Sequence, residues 1–364
     1  MALAEIARAG TSIWLDDLSR ERMIEGGRAT SLSTLIERDH VVGVTTNPAI
    51  FAAAIAGSPL YRDDIVTLAK AGKDPESIIT TLTTVDVRQA CDLFTPTFES
   101  SGGVDGRVSI EVDPRFARDT EATIKQAREL WSLVDRPNLL IKVPATLEGL
   151  PAIRTLISEG ISVNVTIIFS VARYEQVLDA FTAGLEDRAR AGKSLHGIHS
   201  VASFFVSRVD TEIDARLKAT SNQFLLGKAA LANARLAYKH FESILNSQRW
   251  QQLAINGASI QRPLWASTGV KDPSYDPTMY VLELIAPQTV NTMPEATLVA
   301  VREQGRFQGQ TITNSYADAS AHLDKLQDMG IDIEEVATKL ELEGIDKFIK
   351  PWLELIATVA KVSA

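Results

Sequence analysis

The chain has 364 residues, 45% of them hydrophobic, and a formal charge of −9. That length and balance bury a core without disulfide or metal staples, and the single cysteine, Cys91, excludes an internal disulfide. The negative charge and the lack of a dense Lys/Arg tract exclude a general nucleic-acid binder, and they require a local positive cluster for any anionic substrate. The N-terminal Met-Ala-Leu-Ala-Glu carries no cationic leader and no apolar run is long enough to span a bilayer, so the expected location is the cytoplasm with no membrane partner.

Short β-rich runs alternate with longer helical stretches, the pattern of a parallel α/β fold. The expected strands are Ser12–Leu15, Val41–Thr45, Val108–Val112, Leu139–Val143, Ser162–Phe169, Val201–Val206, Pro263–Ser267 and Thr289–Asn291. Between the second and third, helices are expected at Tyr61–Lys70, from Asp74-Pro75-Glu76, and from Asp86 toward Phe94. Later helices are expected at Asp119–Val134, in Ala145–Ile157 and over the alanine-rich Asn222–Leu245. The end, Ile333 to about Val362, reads as helical with breaks at Gly344 and Pro351. It is expected to pack outside the fold, with a lid as the alternative. No linker or repeat divides the chain, so residues 1–364 are expected to form one domain.

Eight strands, each followed by helical sequence, favour a closed (β/α)8 barrel of TIM type with additional helices over an open sheet. Polar rows on the strands agree. Ser162, Asn164 and Thr166 share one face of the fifth strand, and Ser109, Glu111 and Asp113 line up on the third. A polar row on a buried strand must face something wet or reactive, and in a barrel that is the C-terminal mouth.

Lys142 ends the apolar run Leu139-Leu140-Ile141-Lys142-Val143-Pro144. Taken alone, it also suits an edge strand whose lysine reaches out to water. Inside a barrel, burial disfavours an ammonium, and a neutral amine attacks a ketone to form an imine, an electron sink for cleaving the adjacent C–C bond. Glu111 and Asp16 lie at the ends of other strands as candidate acid/base groups; singly, Glu111 also suits a helix cap or surface pair and Asp16 an N-cap. Asn47, extended before Pro48, suits either a turn or an amide aimed at substrate hydroxyls. Ser203 and Phe205 share a face of the sixth strand, and Arg208 just beyond it presents a fork for phosphate. Ser267 and Lys271 follow the seventh strand, where barrels place phosphate sites. His196 and His199 lack clustered cysteines or carboxylates and read as structural, as does Cys91; the glycines at 102, 103 and 106 form no nucleotide-binding motif.

The segments Thr45–Pro48, Gly106–Val112, Asp119–Ala122, Leu139–Thr146, Asn164–Ser170, Ser203–Arg208 and Ala286–Pro294 resemble, in order, the signature blocks of transaldolases. The Trp-Leu-Asp-Asp-Leu-Ser run of the first strand is similar to their long bacterial branch. The resemblance implies a class I aldolase barrel. Its reaction would move a dihydroxyacetone unit from sedoheptulose 7-phosphate or fructose 6-phosphate to glyceraldehyde 3-phosphate or erythrose 4-phosphate. It implies a place in the non-oxidative pentose phosphate pathway, with no metal and no organic cofactor. By motif, Lys142 would be the Schiff-base lysine and Glu111 a general acid/base acting through a water held by Thr166. Asp16 would take the donor hydroxyl proton. Asn47, Asn164 and Ser203 would hold the dihydroxyacetone moiety, with Phe205 beside them, and Arg208 and Ser267 the phosphate. Short-branch members carry an arginine soon after the residue matching Ser267; here Thr268-Gly269 stands there, and Lys271 is taken as its substitute. The related fructose 6-phosphate aldolases carry glutamine and tyrosine at the places of Glu111 and Phe205 and are much shorter. A barrel that binds sugar phosphates without turnover is a further alternative, against which the lysine and both carboxylates stand. Monomer and homodimer both fit the sequence.

Overall fold

All eight expected strands form, each within two residues of its expected ends. They are β1 (Thr11–Leu15), β2 (Val41–Val44), β3 (Arg107–Glu111), β4 (Leu139–Pro144), β5 (Val163–Ile168), β6 (Ser200–Phe205), β7 (Gln261–Ala266) and β8 (Thr289–Met293). In the computed structural model, which describes residues 2–218 and 222–363, they close in sequence order into one barrel. Every pairing is parallel, including β1 with β8, so the fold is a (β/α)8 barrel. Strands of this kind are covered on both faces, and β4 through β8 are buried at every residue.

Side chains of alternate residues fill the barrel. On β1, Ser12 reaches Arg262 of β7 across the bottom; Trp14 sits above it and Asp16 at the top. Gly43 of β2 admits the Trp14 indole: a Cβ there would lie 2.5 Å from the ring. On β3 the inward row is Arg107, Ser109 and Glu111. Asp113 leaves it, because the chain has turned into a short 3-10 helix, Pro114–Phe116, which Asp113 caps. On β5 the alternation breaks. Ile167 has φ of 56°, a backbone conformation that costs a β-branched residue energy, and the register with β6 shifts between Val165 and Ile168.

Three helical expectations are corrected. The helix from Asp74 and the one from Asp86 are a single helix, Pro75–Leu93. Asp86 is no cap: it is buried and accepts from Tyr61 (2.7 Å) and Arg20 (3.1 Å). The alanine-rich helix begins at Ala229, not Asn222. Gly227 separates it from a 3-10 turn at Gln223–Leu225, with φ of 68° and the Tyr275 ring too close for a Cβ. The last helix, Ile333–Ser363, runs unbroken through Gly344 and Pro351, because packing of its buried face outweighs the local propensities.

That last helix is also the lid rather than an outer layer. It packs on the Pro48–Gly57 helix after β2 and on the Ser207–Leu217 helix after β6, which lie on opposite sides of the barrel, and it contacts β5. It therefore crosses the C-terminal mouth. Gly344 faces Ile167, Phe169 and Arg208 there, and Phe348 is 5% exposed.

Candidate active site

Register places Glu111 beside Lys142, and Lys142 beside Asn164, on three adjacent strands. The Lys142 side chain is 5% exposed and that of Glu111 2%, so neither is a surface group and the edge-strand alternative fails. Lys142 Nζ lies 3.2 Å from Glu111 Oε2 and donates to the Thr46 carbonyl at 3.1 Å. Burial pushes the Glu111 carboxyl above its ordinary value against the opposing pull of Lys142. Neither Glu111 oxygen accepts a hydrogen bond of good geometry among the described residues, and the buried Thr166 hydroxyl also has no partner.

Asp16 is the second carboxyl group that interacts electrostatically with Lys142. Burial raises its carboxyl, while Lys142 and a 2.7 Å hydrogen bond from Thr45 favour the ionised form. Thr45 in turn meets Thr292 of β8 at 2.6 Å. Asn164 is fixed from both sides: its amide donates to Ser109 at 3.0 Å, and its carbonyl accepts from Ser203 at 2.7 Å. Such support holds a polar side chain in one orientation. Asn47 caps the Pro48–Gly57 helix through Ile50 N at 3.0 Å, so the turn-forming role is real, yet its side chain also lines the pocket.

The pocket between these groups and the lid has a volume of about 170 Å³. Asp16, Asn47, Lys142, Ser203 and Phe205 line it, and Arg208, Ser267 and Lys271 lie in the same wall, with Phe348 above. Ser267 adopts φ of 56° and its hydroxyl meets that of Ser207 at 3.0 Å, at the start of the helix that carries Arg208. Arg208 stacks at 5.3 Å on Phe205 and 5.9 Å on Phe348, and its buried Nη1 has no hydrogen-bond partner among the described residues. Burial pushes its guanidinium downward, with Glu343, Asp16 and Glu111 opposing. Lys271 is exposed at the rim. Every residue taken from the sequence as a candidate site residue therefore lies at one end of the barrel; Glu111, Asn164 and Thr166 stand behind the pocket surface.

Sequence reasoning assigned no role to Thr45, Ser109, Thr292 or Phe348. Ser109 lay on a named polar row and Thr45 within a quoted segment, and these were the available signals. Phe348 gave none: it reads as one more apolar residue on an amphipathic helix, 5.7 Å from Lys142 Nζ only in three dimensions. Among the described residues no group of three or more His, Cys, Asp or Glu could hold a metal, and no helix is long and apolar enough to cross a membrane.

Residues 13–359 match the family described as Transaldolase/Fructose-6-phosphate aldolase. A transaldolase of Acidothermus cellulolyticus is 57% identical over 99% of this chain and 96% of its own length. Those of Thermobifida fusca and Mycobacterium tuberculosis are 54% and 55% identical, over 99% and 97% of this chain and 97% and 95% of their own lengths. Similarity of this extent reaches from β1 through the lid helix, and the chain belongs to the Transaldolase/Fructose-6-phosphate aldolase family.

Proposed function

We propose that the chain is a transaldolase, with residues 1–364 acting as one catalytic domain. The observation that carries this is a buried lysine, Lys142, that pairs with Glu111, interacts with Asp16 and lines a pocket also lined by Arg208 and Lys271. The amine attacks the ketone of sedoheptulose 7-phosphate or fructose 6-phosphate, and the adduct loses water to give an imine. Asp16 takes the proton of the β-hydroxyl as the bond between the carbons α and β to the imine breaks. The electron pair moves into the protonated imine, leaving a dihydroxyacetone enamine on Lys142 and releasing an aldose phosphate. Glyceraldehyde 3-phosphate or erythrose 4-phosphate then enters, the steps run in reverse, and water frees the new ketose.

Glu111 serves as acid/base in imine formation and hydrolysis through a water shared with Thr166; the buried Glu111 Oε1 and Thr166 hydroxyl, which have no hydrogen-bond partner among the described residues, support this, since such atoms take an ordered water. Asn47, Asn164 and Ser203 hold the three-carbon unit, and Phe205 with Phe348 excludes water from the enamine. Arg208, Ser267 and Lys271 grip the phosphate. The enzyme would work in the cytoplasm, in the non-oxidative pentose phosphate pathway, as a monomer or homodimer, without metal or organic cofactor.

Borohydride with fructose 6-phosphate should reduce the imine to a stable amine on the Lys142 peptide, and Lys142→Ala should give none. An adduct on another lysine, or no adduct with active enzyme, would defeat the mechanism. The family also contains fructose 6-phosphate aldolases. Glu111, Phe205 and the long relatives named transaldolase favour transfer. Rapid release of free dihydroxyacetone without an acceptor aldehyde would favour the aldolase.

A further inference from the structure

The opposite end of the barrel holds a second cavity, of about 460 Å³, with no part in the chemistry above. Its walls are strand starts: Ser12 of β1, Arg107 of β3, Leu140 of β4, Ser200 and Val201 of β6, and Arg262 of β7. Two arginines face it, 1% and 8% exposed, in a chain whose net charge is −9. A single carboxylate, Asp105, lines it. Asp105 is already engaged: it accepts from Ser12 at 2.8 Å and Trp14 at 3.4 Å, and it pairs with Arg262 at 2.9 Å.

Arg107 has no carboxylate partner among the described residues. It stacks on Phe98 at 5.0 Å and donates to the Gly103 and Pro137 carbonyls, contacts that orient the guanidinium without neutralising it. Its charge is correspondingly strained: burial, then Arg262, pushes its value down to about 9. His199 lies beside it. A point beside Gly103 is 3.5 Å from both His199 Nε2 and an Arg107 terminal nitrogen. Burial and the two arginines push His199 down to about 3, so a neutral imidazole with one N–H to give joins the two guanidinium groups.

We propose that this cavity is a binding site for a small oxyanion, a phosphate or carboxylate group held between Arg107, Arg262 and His199. The surplus positive charge, the oriented forks and the neutral donor match an anion with two or more oxygens. Such a ligand offsets the repulsion between the two arginines. Trp14 separates it from Lys142, so it does not compete with substrate.

His199 is the built-in reporter, and the proposed catalytic pocket contains no histidine to confuse it. The imidazole signals are followed by NMR at constant ionic strength while inorganic phosphate or malonate is added to the whole protein, with His199→Asn fixing the assignment. Saturable movement of the His199 signals is expected, together with a raised His199 titration midpoint. Arg262→Gln should weaken binding roughly tenfold or more, the loss of one charge-assisted contact. Arg262→Lys, which retains the charge if the glutamine variant fails to fold, should give an intermediate loss. Arg208→Met, at the other end, should leave the titration unchanged. Response to one probe alone would tell phosphate from carboxylate ligands. Three results would overturn the proposal: no movement with either probe, the same unsaturating drift in all five histidines, or loss of the response in Arg208→Met.

Discussion

Asp210 offers a test of the packing that holds the phosphate grip in place. It lies two residues after Arg208 on the Ser207–Leu217 helix, 2% exposed, and accepts from Tyr280 OH at 2.7 Å and Ala230 N at 2.8 Å. Burial pushes its carboxyl up to about 7, more than those two donors pull it down. A folded-state value above the unfolded one means that the folded protein holds a proton the unfolded chain has released. The associated stability is complete below the unfolded value of 3.8, is lost as pH rises, and is gone above about 7. Between pH 5 and pH 8 the wild type should lose roughly 3 kcal/mol that Asp210→Asn does not lose. For a chain of this length that is a relative drop of roughly 3–5 °C in thermal midpoint. Midpoints of both proteins by circular dichroism at pH 5, 6, 7 and 8 provide the measurement, and shifts shared by other carboxylates cancel in the difference. Parallel midpoint curves, or a greater loss with pH in Asp210→Asn, would refute the reasoning.

Phe348→Ala should lower kcat by roughly 10-fold or more and expose the enamine to water, seen as acceptor-independent release of dihydroxyacetone; an unchanged partition would remove the lid from the chemistry. Asp16→Asn should reduce kcat by a factor of about 10² to 10⁴ while borohydride still labels Lys142, because imine formation precedes the step assigned to Asp16. Loss of labelling in a folded Asp16→Asn protein would place Asp16 earlier. Lys271→Ala should raise KM for phosphorylated donor and acceptor several-fold, the modest effect of an exposed charge. Unchanged KM for both would leave the grip to Arg208 and Ser267.

The strands were legible because period-two polar rows are rare on buried strands: Asn164 and Thr166 on β5, and Ser109 and Glu111 on β3, gave both the barrel and its reactive end. The same alternation carried too far at Asp113, where Pro114 ends the strand, and could not foresee the left-handed turn at Ile167. Helix limits failed where a tertiary contact overrode a local signal. Asp86 looks like a cap but answers Tyr61 and Arg20; Gly344 and Pro351 look like breaks but lie in a helix held by its neighbours. Phe348 was invisible for a related reason, since only the path of the last helix over the mouth turns a core-type phenylalanine into a pocket wall. The cavity beneath the barrel was equally hidden, because Arg107, His199 and Arg262 are far apart in sequence and meet only when the barrel closes.

Arg208 poses the sharper question of what a binding site costs before its ligand arrives. Exposed arginines such as Arg154 and Arg249 are paired with carboxylates. Arg208 pairs with none among the described residues; it rests on two aromatic rings and keeps a buried Nη1 without a hydrogen bond. Desolvation of that charge is only partly opposed by Glu343, Asp16 and Glu111, and a phosphate in the pocket offsets the rest. Replacing even a buried ion pair by apolar side chains of similar volume is commonly neutral or stabilising by about 1–4 kcal/mol, and a charge with no ion-pair partner has less attraction to lose. Arg208→Met should accordingly melt at or above the wild-type temperature without substrate, while losing affinity for phosphorylated sugars. The loss of two charge-assisted bonds corresponds to a KM increase of roughly 100-fold for fructose 6-phosphate, with little change for unphosphorylated fructose. The two measurements have to move in these opposed directions. A variant that melts markedly lower would make Arg208 a structural residue, and one that weakens fructose and fructose 6-phosphate equally would move the phosphate elsewhere in the pocket.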